Sequence, residues 1–249
     1  MRTLKVLGFL LTYPSAQTIE VLDECREILA AEKWLPSDTL SGLGTLMDYM
    51  QATDLLDLQE EYVALFDRTP SLCLHLFEHV HGDSRDRGQA MVDLSNVYEE
   101  AGLIINTKEI PDFLPLFLEY LSIIDQEEAR GNLDGIINIT AALAKRLKNR
   151  KSKYEFVFNA LEVASNCKPD ELAIQKAMKA ASGEMATFEE IDQEWEEQNA
   201  FENSQQTTGV DMDGNSDTGC PIAEEMLARM NIPKAENNKI DKTNNREEA

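Results

Sequence analysis

The reactive side chains of this sequence gather in one stretch, SLCLHLFEHVHGDSRDRGQAM at residues 71–91, which holds all three histidines beside Glu78, Asp83, Arg85, Asp86 and Arg87. His75, Glu78 and His79 spell H-x-x-E-H, the spacing at which two imidazoles one helical turn apart bind zinc and the glutamate acts as base. The context for zinc hydrolysis is incomplete. Gly82 and Asp83 come almost at once after His79, and no third ligand stands out among the many glutamates downstream. Two other arrangements use the same residues. In one, His75 packs with Leu72 and Leu76 while Glu78, His79 and His81 face solvent or pair with Arg85 and Arg87. In the other, which the pattern favours, Gly82 breaks a helix and Asp83 or Ser84 caps the next, leaving Arg85 and Arg87 on its first turn. Cations there oppose the helix dipole, so the two arginines call for carboxylate partners in the fold or in a ligand.

Other chemistries lack a handle. There is no G-x-G-x-x-G, P-loop, G-x-S-x-G or kinase set. Asp211, Asp213, Asn215 and Asp217 copy the odd-numbered spacing of a calcium loop, but the glycine is misplaced and Ile222 stands where the bidentate glutamate belongs. Asp112, Glu119, Asp125, Glu127 and Glu128 read as solvated helix faces. No metal and no cofactor is therefore expected. A formal charge of -23 repels phosphate backbones and anionic membrane surfaces, which excludes nucleic acid and favours a basic partner. Four scattered cysteines without a C-x-x-C pair fit a reducing compartment. Arg2 and Lys5 precede an apolar run at 6–11, but Thr12, Tyr13 and Pro14 interrupt it before it reaches the length of an export signal. No stretch approaches the ~18 apolar residues of a membrane span, so a cytoplasmic location without stable membrane association is expected.

The elements that must position these residues read as helices throughout. Leu4, Leu7, Leu10 and Leu11 fall at helical spacing before the break at 13–15, and Ile19, Leu22, Ile28 and Leu29 share one face of the next helical segment. Ser37 or Asp38 can cap a helix carrying Leu40, Leu43, Met47 and Met50, in which Gly42 and Gly44 suggest close packing. Thr53 is placed to cap the segment whose stripe is Leu55, Leu58, Tyr62, Leu65 and Phe66. Pro70 stops it. Leu72, Leu74 and Leu76 then alternate as a strand would, yet no partner strand is evident, so a helix or irregular segment is expected. Met91, Leu94, Val97 and Tyr98 mark a helix that Gly102 ends. Pro111 precedes FLPLFLEYLSII, which is a helix only if Pro115 lies in its first turn. Further helices are expected at 133–148, 154–165 and 169–181, with the basic cluster of Lys145, Arg146, Lys148, Arg150, Lys151 and Lys153 complementing a helix C-terminus. The fold class is all-α, a single multi-helix bundle at 1–185 followed by an acidic, largely disordered tail at 186–249.

EYVALFDR at 61–68 followed by LFEHVHGDSRDRGQAMVDL at 76–94 resembles the delta-subunit assembly chaperones of bacterial respiratory nitrate reductase. LLTYPS at 10–15, EIPDFLPLFLEYLS at 109–122 and FEEIDQEWEE at 188–197 extend the resemblance over most of residues 5–198. It implies a helical chaperone, related to the twin-arginine redox-enzyme chaperones, that is not itself an enzyme. Such a chaperone binds the N-terminal segment of the apo catalytic (alpha) subunit, permits molybdenum cofactor insertion before membrane docking, and does not join the final enzyme. A helical peptide in a groove presents apolar residues at i, i+3, i+4 and i+7, and an acidic rim attracts its basic residues. On that reading Tyr62, Leu65 and Phe66 are apolar anchors unless they are simply core. Asp67, Glu78 and Asp83 meet basic groups, Arg85 and Arg87 brace those carboxylates, and His79, His81 and Met91 complete the set. A histidine cluster also implies pH-dependent binding. A monomer and a dimer are both open, as is any role of the tail after 198.

Overall fold

A computed structural model describes residues 1–81, 86–106 and 108–180. The chain forms α1 (Arg2–Leu10), α2 (Ala16–Glu20), α3 (Leu22–Glu32), α4 (Ser37–Ala52) and α5 (Leu55–Tyr62). A π turn (Val63–Asp67) and a 3-10 turn (Pro70–Leu72) lead to α6 (Glu78–His81) and α7 (Asp86–Glu100). The bundle is completed by α8 (Leu114–Ile123), α9 (Gln126–Asn149), α10 (Glu155–Ala164) and α11 (Glu171–Ala180). The architecture is an all-α bundle. The boundary expected at 185 and the tail at 186–249 lie outside the described residues.

The centre of the bundle is α1, whose Leu4, Leu7 and Leu10, with Leu11 beyond its end, have no exposed surface. It packs on α8, α3 and α10. Gly8 permits the closest of these approaches, because a Cβ there would lie 2.9 Å from the Pro115 carbonyl oxygen and 3.2 Å from Leu118 Cβ on α8. The orphan donors at the start of α1 are met by Glu32, which accepts from the backbone N–H of Arg2 at 2.8 Å and of Thr3 at 2.7 Å. Gly42 has the same role on α4, where a Cβ would come within 2.7 Å of Phe156 on α10. Gly44 is less crowded, with Arg26 at 3.3 Å.

Several local expectations shift. The cap of α5 is Asp54, whose carboxylate accepts from Leu56 N–H at 2.9 Å, rather than Thr53. α4 has Pro36 at its cap position with no side-chain bond, so Ser37 and Asp38 are helical residues and not caps. Pro115 does lie in the first turn of α8, where its missing N–H costs nothing. α7 ends as expected, with Gly102 at φ +80° and Leu103 N–H donating to the Tyr98 carbonyl at 2.8 Å. α9 starts seven residues earlier than its apolar periodicity suggests, capped by Asp125, with Arg146 and Lys148 in its last turn. The basic cluster also ties elements together: Arg146 donates to the Ser71 carbonyl at 2.7 Å, and Lys145 pairs with Glu171 at 2.7 Å. No helix among the described residues is long and apolar enough to cross a membrane.

Candidate functional site

The segment after α5 builds one wall of a groove. Arg68 N–H donates to the Val63 carbonyl at 2.9 Å, an i to i−5 bond that widens the last turn. Leu65 and Phe66 consequently both point inward while Asp67 stays exposed. The Phe66 ring lies tilted at 4.9 Å from Tyr62 and edge-on at 5.1 Å from Tyr154, and Tyr13 meets the Tyr62 ring edge-on at 5.6 Å. Tyr62 is fixed by its hydroxyl, which donates to the Leu11 carbonyl at 2.9 Å. Burial pushes that phenol well above its ordinary range.

The opposite wall comes from residues 72–77 and 112–114. Leu72, Leu74 and Leu76 are buried in alternation because His75 and Phe113 form an isolated antiparallel bridge. Its bonds run from Leu76 N–H to the Asp112 carbonyl (3.0 Å) and from Leu114 N–H to the Leu74 carbonyl (2.8 Å). The partner for the strand-like alternation is therefore the short stretch before α8, which the spacing of the sequence does not reveal. Asp112 locks this corner, accepting from Phe77 N–H at 3.0 Å through Oδ2. Its Oδ1 is buried without a partner among the described residues, and burial raises the carboxyl above the usual range. Between the walls lies a cavity of about 470 Å³. Tyr13, Tyr62, Phe66, Leu74 and Phe113 make its apolar surface, and Asp67, His75, Lys108 and Glu109 its polar rim.

The histidines do not sit as a zinc motif requires. His75 is in the extended bridge, whereas Glu78 opens the four-residue α6, so the two imidazoles are not on one helical face. His75 Nδ1 lies 3.3 Å from Cys73 Sγ, its Nε2 lies 3.6 Å from Glu109, and its ring rests on Phe113 at 5.4 Å rather than on Leu72 and Leu76. His79 turns inward instead of facing solvent, and its Nε2–H donates to the Cys73 carbonyl at 2.8 Å. Burial lowers its pKa despite that bond, while burial raises the Cys73 thiol. No cluster of three His, Cys, Asp or Glu side chains suited to a metal occurs among the described residues.

Of the residues singled out in the sequence, Tyr62, Phe66 and Asp67 come together at the cavity. Leu65 is core and does not line it, and Tyr62 and Phe66 are core residues that each give one edge to it. Arg87, on the first turn of α7, donates to exposed Glu78 at 3.0 Å, away from the residues that line the cavity. Met91 is half-buried against the core. The His81 side chain, Asp83 and Arg85 lie outside the described residues. Tyr13, His75, Glu109 and Phe113 are the participants that periodicity missed. The one available signal was the alternation at 72–76, which demanded a partner.

Comparison with known proteins adds the family. The family described as nitrate reductase delta subunit matches residues 34–159. Over 198 residues, 80% of this chain and 84% of the relative, the sequence is 41% identical to the nitrate reductase molybdenum cofactor assembly chaperone NarJ of Escherichia coli K12. It is 38% identical, over 80% of the chain and 82% of the relative, to the probable chaperone of the same description, NarW, from that strain. The probable NarJ chaperone of Bacillus subtilis 168 is 27% identical over 65% of this chain and 87% of its own length.

Proposed function

This chain belongs to the nitrate reductase delta-subunit family, and we propose that it captures the N-terminal segment of an apo nitrate reductase catalytic subunit in the groove between Phe66 and Phe113. Its role is that of an assembly chaperone for molybdenum cofactor insertion. It acts in the cytoplasm before the enzyme docks on its membrane anchor, catalyses no reaction itself, and is absent from the final complex.

The observation that carries the reading is the chemistry of the cavity. Its aromatic surface suits apolar side chains at i, i+3 and i+4 of a helix, and exposed Asp67 and Glu109 attract the basic residues of the same helix. Placement on rigid supports favours binding over catalysis: the thiol and imidazole nearest the cavity are paired with each other or with the backbone, and burial keeps the Cys73 thiol protonated.

Calorimetric titration with a synthetic peptide from the N-terminus of the catalytic subunit tests the proposal. Saturable binding at micromolar affinity or better is expected, with Asp67→Asn and Glu109→Gln together weakening it by about tenfold, or about 1.4 kcal/mol. Absence of binding to folded protein would remove the proposal.

A further inference from the structure

A separate cleft of about 300 Å³ opens between α1, α2 and α3 and shares no lining residue with the cavity between Phe66 and Phe113. Buried Val6 and Cys25 form its floor, and half-buried Phe9, Val21 and Ile28 form its walls. Its rim carries both signs of charge. On α1 stand Arg2 and Lys5, whose side chains are 67% and 61% exposed although Glu32 and Glu119 lie 3.7 Å and 2.9 Å from them. On α3 stands exposed Glu24. Two cations on α1 do not suit the basic segment that Asp67 and Glu109 attract. The occupant of this cleft needs an apolar face bordered by a carboxylate on one side and a cation on the other.

The chain itself supplies such a segment beyond the described residues, in PIAEEMLARMNIP at 221–233. It also lies beyond residues 34–159, which the family model matches. At helical spacing Ile222, Met226, Leu227 and Met230 fall within about 140° of one face. Glu224 borders that face beside Leu227, and Arg229 borders it on the other side, beside Ile222. We propose that residues 222–232 dock as an amphipathic helix in the cleft between α1 and α3 of the same chain, with Glu224 toward Arg2 and Lys5 and Arg229 toward Glu24. The lengths agree: Ile222 to Met230 spans about 12 Å as a helix, and Arg2 to Phe9 spans about 10 Å along α1. Pro221 and Pro233 frame the segment, since proline is tolerated at a helix start and stops one at its end. Two of the four apolar residues are methionines, which adapt to a shallow apolar surface. Reach is no obstacle, because Ile222 follows Ala180, the last described residue, by 42 positions, up to about 140 Å of extended chain.

Hydrogen–deuterium exchange on the full chain, read by mass spectrometry, tests the docking. Amides of 222–230 are expected to exchange at least about tenfold more slowly than in a synthetic peptide of residues 219–233. Met226→Ser with Leu227→Ser is expected to return them to the rate of the free peptide. The position in the cleft is tested by a charge swap at exposed sites: Arg229→Glu should speed exchange about threefold, and adding Glu24→Arg should restore it. Exchange as fast as in the free peptide overturns the proposal. Protection that Glu24→Arg neither weakens alone nor restores in the Arg229→Glu background places the segment elsewhere and overturns the cleft. Protection that grows with protein concentration between about 1 and about 100 µM assigns the occupant to a second copy and overturns docking within one chain. Titration of the same variants with the catalytic-subunit peptide reports on capture separately, so failure of the tail to dock leaves that reading in place.

Discussion

His79 shows how a side chain drawn from a reactive-looking motif can be structural. Its Nε2–H donates to the Cys73 carbonyl, and the buried ring is held neutral because burial penalises the charged form more than that hydrogen bond favours it. A depressed folded-state pKa means that the unfolded chain takes up a proton first as pH falls below the ordinary value of 6.5. The contribution of His79 is therefore intact above that value and is lost progressively below it, down to the folded pKa. Asp112 has the opposite sign. Its raised carboxyl favours the fold at low pH and works against it as pH rises through the folded value above 3.8. The two effects overlap in the acid range, so the wild-type profile alone does not separate them. His79→Gln does, since its amide N–H can still reach the Cys73 carbonyl but does not titrate. Urea melts from about pH 7.5 to about pH 5 are expected to show the variant gaining stability relative to wild type as pH falls. A constant difference across that range would show that His79 is not desolvated as described.

At the scale of elements, the contact between α1 and α8 sets both the core and the groove. Gly8→Ala adds a methyl 2.9 Å from the Pro115 carbonyl oxygen, a distance at which backbone must move. Better helix propensity returns up to about 1 kcal/mol, and overpacking typically costs about 1–3 kcal/mol, so a net loss is expected. The thermal midpoint should drop by a few degrees, and a rise would mean that α8 shifts freely. The helices themselves were written plainly, since 3.6-residue apolar spacing, Pro115 near a start and Gly102 at an end identify the elements, but of the close approaches the sequence pointed to Gly42 and not to Gly8. The groove was written only in part. Tyr62, Phe66 and Asp67 lie on one periodic segment whose role a family resemblance could flag. Phe113 and Glu109 reach the site through a one-residue bridge between distant segments, and a pairing that short leaves no periodic pattern of its own. The π turn is equally silent, since VALFD carries no signal separating an i to i−5 bond from an ordinary helix end.

For the whole molecule, the acidic balance decides how a client arrives rather than how tightly it is held. The chain carries -23 formal charges, and several of its cations are already paired: Arg26 with Asp48 at 2.6 Å, Lys5 with Glu119 at 2.9 Å and Lys145 with Glu171 at 2.7 Å. The surplus of carboxylates attracts a basic segment from a distance, whereas release requires apolar anchors to leave the aromatic cavity. Raising salt from about 0.1 M to about 1 M shrinks the screening length from about 10 Å to about 3 Å. Stopped-flow measurements are expected to show association slowing by about tenfold over that range, with dissociation changed by less than about threefold. Truncation after residue 198 probes the same division between arrival and grip, because it removes ten acidic and five basic residues but none of the described residues that line the groove. Association should slow modestly, and dissociation should be unchanged. A truncated chain that binds slowly but releases normally places the site in the bundle. One that releases the peptide many times faster would place part of the grip in residues 199–249, and the groove between Phe66 and Phe113 would no longer account for capture.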